Sequence, residues 1–191
     1  TDSLGRGPRG HDEVNQARGP GNFGWPHFVG NNIAYNDYDF DQEESKEQFD
    51  PQKPINDSPN NTGIETLPPA QEAFIWYPYA SSAEFPILGD GGRTAMAEPV
   101  FYNDAYSKSN KTFPDYCNGK LFIYEWMRGW IMAVTMEENG DLKSIEPFMP
   151  ATEFNNPADM QFARDGSLYL LEYGITWNQR NQDARLVRIE Y

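Results

Sequence analysis

The sequence predicts an all-β fold, and three observations lead to this prediction. Of the 191 residues, 15% are aromatic, 16 are glycine and 15 are proline. Aromatic side chains suit a pleated surface, while glycine and proline favour turns, so this composition favours short strands over helices. Short apolar runs alternate with turn residues, and one strand pattern occurs twice. The hydrophobic fraction of 38% is enough for a buried core in a chain of this length.

Residues 1–34 form the first segment, in which glycine and proline recur between polar and aromatic stretches. Glycine raises the entropic cost of ordering and proline removes a hydrogen-bond donor, so we expect a shaped loop here. Such a loop can turn backbone carbonyls toward a ligand, which makes metal or cofactor binding a candidate role. We expect Trp25 and Phe28 to anchor this loop in the core. His11 and His27 are expected at the surface or in packing roles.

Residues 35–72 form a polar excursion that begins with aspartates at alternate positions. This spacing is similar to the start of an EF-hand loop, which also needs glycine at its sixth place and glutamate at its twelfth. Counted from Asp37, those places hold Gln42 and Gln48. The acidic run is therefore interpreted as a solvated stretch rather than a calcium loop.

The strands are predicted from residue 73 onward, where the apolar runs become regular. AFIWYPYA and AMAEPVFYN are predicted strands, and GDGGR between them is predicted to be a flexible connector. The aromatic stretch at 74–86 either packs in the core or offers a surface on which sugars stack. A three-stranded meander follows, in which Asn139-Gly140 provides the positive φ angles of a tight turn. Its strands are LFIYEW (121–126), WIMAVTM (130–136) and LKSIEPFM (142–149).

A repeat links this meander to the last third of the chain. NGKLFIYEW (118–126) aligns with DGSLYLLEY (165–173) at a constant offset of 47, from 166 − 119. DMQFA (159–163) and ARLVRIEY (184–191) flank the second copy, and ITWNQRNQD interrupts it. A period of roughly 40–50 residues with several strands per unit is typical of a β-propeller. Two copies leave a sandwich or a meander domain as alternatives.

The net charge of −14 makes nucleic acid an unexpected partner, because an acidic chain repels phosphate backbones. No run of 18 apolar residues occurs, so no membrane span is expected. The single cysteine, Cys117, excludes an internal disulfide and is interpreted as a small, half-buried residue before a turn.

The two motifs GPRGHDEVN (Gly7–Asn15) and GNFGWP (Gly21–Pro26) resemble the signature pair of the glucose/sorbosone dehydrogenase-like family. The closing stretches DGSLYLLEYG and DARLVRIEY resemble that family's last blade. The resemblance covers essentially the whole chain. It implies a six-bladed β-propeller and a soluble quinoprotein sugar dehydrogenase. It is closest to bacterial members that accompany cytochrome c and carbohydrate-binding modules in exported proteins, and thus implies a periplasmic or extracellular location.

The resemblance also implies a set of ligands. The carbonyls of Gly7 and Pro8 would bind a calcium ion that also holds pyrroloquinoline quinone. A second calcium would take the carboxylate of Glu13 and the main-chain oxygen of Phe23. Calcium accepts such oxygens at roughly 2.3–2.6 Å, and proline fixes the direction of one carbonyl. Without the resemblance, Asp12 and Glu13 would be interpreted as turn caps or as partners of nearby arginines.

Two positions depart from the family's pattern of cations around the quinone. A basic residue is expected directly after LFIYEW, where this chain has Met127 and then Arg128. Asn156 and Ala158 stand where the family has arginines that contact the quinone carboxylates. Loss of such cations removes charge-assisted hydrogen bonds. Quinone binding would then use other side chains, namely Arg93, Arg128 or Arg180.

At about 45 residues per blade, the chain supplies about three to four C-terminal blades. The expected organisation is residues 1–34 as the calcium and cofactor segment, 35–72 as the polar excursion and 73–191 as blades. The family's catalytic histidine belongs to an early blade, so no catalytic residue is assigned here. Because an open propeller exposes unpaired strand edges, we expect the remaining blades to come from the same protein or another chain.

Two function classes follow from these expectations. The first is an exported oxidoreductase that oxidises a sugar or alcohol with pyrroloquinoline quinone and calcium, and passes electrons to a cytochrome c domain. The second is a non-catalytic, calcium-stabilised propeller that binds a polysaccharide or a partner protein. The departures at the arginine positions favour the second class, and the Gly7-Pro8 pair favours the first.

Overall fold

The computed structural model describes residues 5–106 and 111–191, and its regular structure is all-β, as predicted. In this part of the chain the strands pair antiparallel, with short 3-10 turns between some of them. No described helix is long and apolar enough to cross a membrane. Contacts between residues divide the chain into two compact units, Thr1–Leu88 and Gly89–Tyr191.

The first unit contains three short antiparallel strand pairs. Their members are β1 (Asp12–Val14) with β6 (Ile75–Tyr77), β2 (Phe28–Val29) with β3 (Ile33–Ala34), and β4 (Asn36–Asp39) with β5 (Glu44–Gln48). The predicted strand at 73–80 is therefore shorter than expected, and it pairs with the HDEV motif. Ile75 and Tyr77 are fully buried, so this end of the aromatic stretch 74–86 serves the core.

The polar excursion contains the hairpin β4–β5, and every residue of β5 is exposed. Asp39 closes its turn by accepting the N–H groups of Asp41 (3.1 Å) and Gln42 (3.0 Å). It also pairs with Lys46 at 3.3 Å. These bonds, the one from Gln42 first, lower the pKa of Asp39. The alternating aspartates thus form a solvated hairpin turn, in agreement with the rejection of an EF-hand loop.

The second unit begins with a four-stranded meander. Its strands are β7 (Ala95–Val100), β8 (Leu121–Glu125), β9 (Trp130–Met136) and β10 (Leu142–Pro147), in the order β10-β9-β8-β7. The predicted turn at Asn139-Gly140 is present, with Gly140 at φ 85°. The main-chain N–H of Glu137 donates to the Asp141 carbonyl at 2.8 Å, which closes this turn. The structure therefore confirms the predicted three-stranded meander, and the predicted strand AMAEPVFYN is β7 at its edge.

A three-stranded sheet follows in the order β11-β12-β13, formed by Pro157–Phe162, Leu168–Glu172 and Arg185–Ile189. None of the described sheets is closed. The two sheets of this unit share one core, in which Phe122 and Ile131 of the first meet Met160 and Leu170 of the second. Cys117 is buried in this cluster, with 7% of its surface exposed, and burial raises the pKa of its thiol.

The sequence repeat corresponds to a structural repeat. Its two copies place β8 and β12 in the same position, between two antiparallel neighbours in each sheet. The preceding glycines, Gly119 and Gly166, have nearly the same positive φ of 76° and 79°. Both strands end in a buried glutamate, Glu125 and Glu172, with 0% and 1% of the surface exposed.

Candidate calcium and cofactor site

The loop that carries Gly7 and Pro8 is fixed against the strand that follows β3. The carbonyl of Arg6 accepts the N–H of Asn36 at 3.1 Å. Gly7 has φ 116°, and a Cβ added there would lie 2.9 Å from the Cα of Tyr35. A side chain at this position would therefore strain the backbone and clash with the main chain. Glycine allows the Gly7-Pro8 turn to lie directly against this segment.

The main-chain oxygens of Gly7, Pro8 and Phe23 differ in their hydrogen bonds from the oxygens of the adjacent residues. Arg6, Arg9, Asn22 and Gly24 each use the main-chain oxygen as a hydrogen-bond acceptor. The oxygens of Gly7, Pro8 and Phe23 accept no hydrogen bond from any other residue that the structure describes. These three are the carbonyls that the resemblance assigns to calcium. Carbonyls without protein donors are the kind of oxygen that calcium binds.

Glu13 is fixed from two sides. It lies in β1 opposite Trp76 of β6. Its Oε1 accepts the N–H of Gly30, and its Oε2 accepts the side-chain amide of Asn15 at 3.2 Å. A Cβ on Gly30, which has φ 57°, would lie 2.9 Å from the Trp76 ring, so glycine is required for this approach. A carboxylate has about four lone-pair directions, so two remain for a cation.

The described residues contain no group of three or more His, Cys, Asp or Glu side chains that could hold a metal ion. A calcium ion in this segment would therefore be held mainly by main-chain oxygens, with Glu13 as the charged ligand. Of the two nearby arginines that were alternative partners of this carboxylate, Arg6 and Arg9, the first has another contact. The guanidinium of Arg6 lies over the ring of Tyr38, at 3.2 Å from its centroid.

Arg128 has a structural role in the second unit. Its guanidinium donates to the carbonyls of Gly92 (2.8 Å), Gly89 (3.0 Å) and Gly91 (3.3 Å). The predicted connector GDGGR therefore has three of its carbonyls bound by one side chain. These bonds use three of the five guanidinium N–H donors of Arg128.

The residues in place of the family's arginines also have structural roles. Asn156 has φ 55°, and its side-chain amide donates to the carbonyl of Trp126 at 2.7 Å. Its own carbonyl accepts the N–H of Tyr173 at 3.0 Å. Trp126 and Tyr173 are equivalent positions of the repeat, so Asn156 joins the ends of β8 and β12. Ala158 lies within β11.

One expectation for the loop is half wrong. Phe28 is buried, with 2% of its surface exposed, and it anchors the loop as predicted. Trp25 is 82% exposed and does not. The Gly24 carbonyl accepts the N–H groups of both His27 and Phe28 at 2.9 Å, which makes a tight turn. This turn directs Phe28 inward, and Trp25 lies on its outer side.

Sequence reasoning missed the function of the two repeated glutamates. Glu125 accepts the N–H of Thr94, just before β7, and that of Arg128 at 2.6 Å. Glu172 accepts the N–H of Asn155, before β11, at 3.0 Å, and it pairs with Arg185. Each carboxylate therefore connects the end of a central strand to the start of the first strand of its sheet. The repeat alignment contained the signal, since the glutamate was one of its matched positions.

A cluster of ionisable side chains between β7, β8 and β11 was also missed. The hydroxyl of Tyr124 donates to Glu98 at 3.4 Å, and Asp159 lies close to the same carboxylate. Burial, followed by the charge of Asp159, raises the pKa of Glu98. Burial also raises the pKa of Tyr124. The three residues are far apart in sequence, and no local pattern connects them.

Comparison with known proteins adds no relative, since no protein-family model and no curated protein matches this chain.

Proposed function

We propose that this chain is part of an exported, calcium-dependent sugar or alcohol dehydrogenase of the glucose/sorbosone dehydrogenase-like type. Its calcium ligands are the carbonyls of Gly7 and Pro8, and, for a second ion, Glu13 and the carbonyl of Phe23. The observation that carries the proposal is that these three carbonyls accept no hydrogen bond from the described residues, whereas their neighbours do.

The proposal includes a β-propeller. The four-stranded meander β7–β10 has the up-and-down order of a propeller blade, and the sheet β11–β13 has the same order with three strands. Their central strands end in equivalent buried glutamates, and their facing sides share one core. The remaining blades come from the same protein or from another chain. A cytochrome c domain is the proposed electron acceptor, and the periplasm or the extracellular space is the proposed location.

The calcium ligands and the quinone are supported to different degrees. The oxygens of Gly7, Pro8, Glu13 and Phe23 suit a hard cation. When bound in such a protein, pyrroloquinoline quinone accepts a hydride from the substrate. Among the cations that the sequence offers for its carboxylates, Arg128 directs three of its donors to loop carbonyls. No step of a reaction is assigned to residues of this chain.

A second function rests on this arrangement of Arg128. A non-catalytic propeller that is stabilised by calcium and binds carbohydrate or a partner protein needs no cation for a quinone. It retains the Gly/Pro loop for calcium alone. The two functions therefore share the calcium site and differ in the quinone.

Calorimetric titration separates the two functions. Calcium is titrated into the metal-free protein, and pyrroloquinoline quinone is then titrated into the calcium-loaded protein, followed by a dye-reduction assay with aldoses. The first function gives calcium binding, quinone binding and turnover in the assembly with its remaining blades. Calcium binding without quinone binding supports the second function, and absence of calcium binding contradicts both.

Two alanine variants test whether the calcium lies at the proposed carbonyls. Gly7→Ala places a Cβ 2.9 Å from the Tyr35 main chain, and should reduce calcium affinity by about tenfold or more. Gly89→Ala is the matched control, since that glycine also has a positive φ, of 73°, but has open space around its added Cβ. Equal loss in both variants would place the calcium elsewhere.

A further inference from the structure

The first unit contains a cavity of about 520 Å³ next to the outward-facing Trp25. It lies between the turn at Trp25–His27 and the asparagine-rich loop at Asn56–Thr62. None of its lining residues is an assigned calcium ligand. Its volume falls within the range of roughly 300–1,000 Å³ that is usual for small-molecule sites. The cavity is therefore a candidate binding site distinct from the Gly7-Pro8 loop.

Trp25 supplies an apolar surface on a rigid frame. It is 82% exposed, and it makes no ring contact with another described side chain. Its position is fixed by the turn at Gly24, whose N–H donates to the Asn22 side chain at 3.0 Å. The Asn22 amide in turn donates to the Pro68 carbonyl at 3.1 Å. An exposed indole on such a frame can bind the apolar face of a ligand at little entropic cost.

His27 contributes a neutral polar group to the same cavity. Its ring stacks on Phe49, with the centroids 4.1 Å apart and the planes at 24°. Burial lowers the pKa of His27, although Asp57 and Asp37 act in the opposite direction. The imidazole is therefore neutral at pH 7 and offers one donor and one acceptor.

The loop at Asn56–Thr62 forms the other side of the cavity, and some of its polar side chains are available to a ligand. Asn61 fixes the loop, because its side-chain amide donates to the carbonyls of Asn56 (2.9 Å) and Ile64 (3.1 Å). The side chains of Asn60 and Thr62 make no hydrogen bond to the residues that the structure describes. An amide and a hydroxyl together provide donors and acceptors for vicinal hydroxyl groups.

The charges around the cavity exclude several ligand classes. No lysine, arginine, aspartate or glutamate is among the described lining residues. The nearest resolved electrostatic effects on His27 come from carboxylates, and the chain carries a net charge of −14. Anionic ligands such as phosphates are therefore disfavoured. A flat apolar face together with neutral donors and acceptors suits a ring that has C–H groups on one side and hydroxyls at its edge.

We propose that this cavity binds a neutral saccharide ring, which stacks on Trp25 and hydrogen-bonds to His27, Asn60 and Thr62. This site goes beyond the proposed oxidation, because none of its lining residues is an assigned calcium ligand or quinone-binding residue. Its occupant is a terminal or internal residue of an uncharged oligosaccharide. Such a site would keep the protein on a polysaccharide.

The test is ligand-observed NMR and calorimetry with the full chain. The neutral probes are D-glucose, maltotriose and cellotriose, and the anionic counterparts are glucuronate and inorganic phosphate. We expect at least one neutral saccharide to bind, and the anionic probes to bind more weakly. If no neutral saccharide binds, or if the anionic probes bind better, the proposal is wrong.

Variants locate the site. Trp25→Ala should raise the dissociation constant for the best saccharide by about tenfold. Trp177→Ala is the matched control, since that tryptophan is also 70% exposed but lies in the second unit. The double variant Asn60→Ala/Thr62→Val removes the hydrogen bonds and keeps the indole, so it should weaken binding as well. Unchanged affinity in Trp25→Ala, or equal loss in Trp177→Ala, would refute the site.

Failure of this proposal can be distinguished from failure of the proposed function. Saccharide binding needs neither calcium nor quinone, so the titration is done in calcium-free buffer as well. Loss of calcium and quinone binding with intact saccharide binding contradicts only the proposed function. Calcium binding and turnover without a Trp25-dependent saccharide site contradicts only the inference made here.

Discussion

Replacing Glu13 with glutamine separates the structural role of this carboxylate from its proposed role as a calcium ligand. In the structure Oε1 accepts the N–H of Gly30, and Oε2 accepts the Asn15 amide at 3.2 Å. Glutamine keeps an acceptor for Gly30 but has no charge, and its amide nitrogen cannot accept from Asn15. A hydrogen bond to a charged acceptor exceeds a neutral one by about 1 kcal/mol. The Asn15 bond lies at the surface and adds little, so we expect a loss of about 1 kcal/mol without calcium.

Calcium should produce a larger difference. At a calcium concentration of 100 times its dissociation constant, the unchanged protein gains about 2.7 kcal/mol of stability. If Glu13 is the charged ligand of the second ion, the glutamine variant loses most of the gain that this ion supplies, because the Phe23 carbonyl alone has no negative charge. The measurement is urea unfolding of both proteins with and without calcium chloride, at a constant m-value. Glu44→Gln, on the exposed strand β5, is the control and should keep the full gain.

Two results would refute this reasoning. A Glu13→Gln variant that keeps the full calcium-dependent gain shows that the carboxylate is not a ligand. A variant that loses several kcal/mol in calcium-free buffer shows that the bond to Gly30 is a principal element of the fold, and that calcium is not needed to explain the residue.

Three further predictions concern the second unit. Glu125→Ala removes the acceptor of two main-chain N–H groups and should cost about 2–4 kcal/mol in urea unfolding, whereas the exposed Glu137→Ala should cost less than about 1 kcal/mol. Equal losses would contradict the role of the buried carboxylate. Glu98→Gln should raise the melting temperature at pH 7. Because the pKa of Glu98 is raised in the folded protein, the unchanged protein loses stability as the pH rises from 4.5 toward that pKa. Glutamine does not ionise, so the variant does not have this loss. The prediction would be contradicted if the melting temperatures of the variant and the unchanged protein depended on pH in the same way from pH 4 to 8. Arg128→Gln should make the 89–93 loop the first site of limited proteolysis, and cleavage at an unchanged rate would show that the guanidinium does not hold the loop.

The sequence predicted the second unit well, because its strands carry local signals. Apolar runs separated by glycine turns are local patterns, and the meander from 121 to 147 followed from them. The first unit was harder to predict, since its strands are only two to five residues long and β1 pairs with β6 across a large sequence distance. Pairing of the HDEV motif with IWY depends on tertiary packing and has no period in the sequence. The same applies to Asn156, which connects two strand ends through its side chain.

Residue type was a poor guide to the aromatic positions. Trp25 and Phe28 are three positions apart and equally apolar, so composition predicts that both are buried. The turn at Gly24 separates them, since its carbonyl accepts two successive N–H groups and the chain reverses there. A large aromatic residue that a turn keeps at the surface gains no burial on folding, and burying it against a ligand would be favourable. This gain is one reason to look for a ligand at Trp25 and not at the buried aromatic residues of the same loop.

Carbonyl ligands have no residue-type signature, which is why the proposed calcium site depends on a resemblance and not on a count of acidic residues. The hydrogen bonds of the loop supply an independent criterion. In residues 5–30, the oxygens on either side of the proposed ligands are used by protein donors, and those of Gly7, Pro8 and Phe23 are not. Oxygens that have no protein donor are open to a cation or to water. The criterion is local and geometric, so it can fail separately from the resemblance. Calcium binding that is unaffected by Gly7→Ala would show that it has failed.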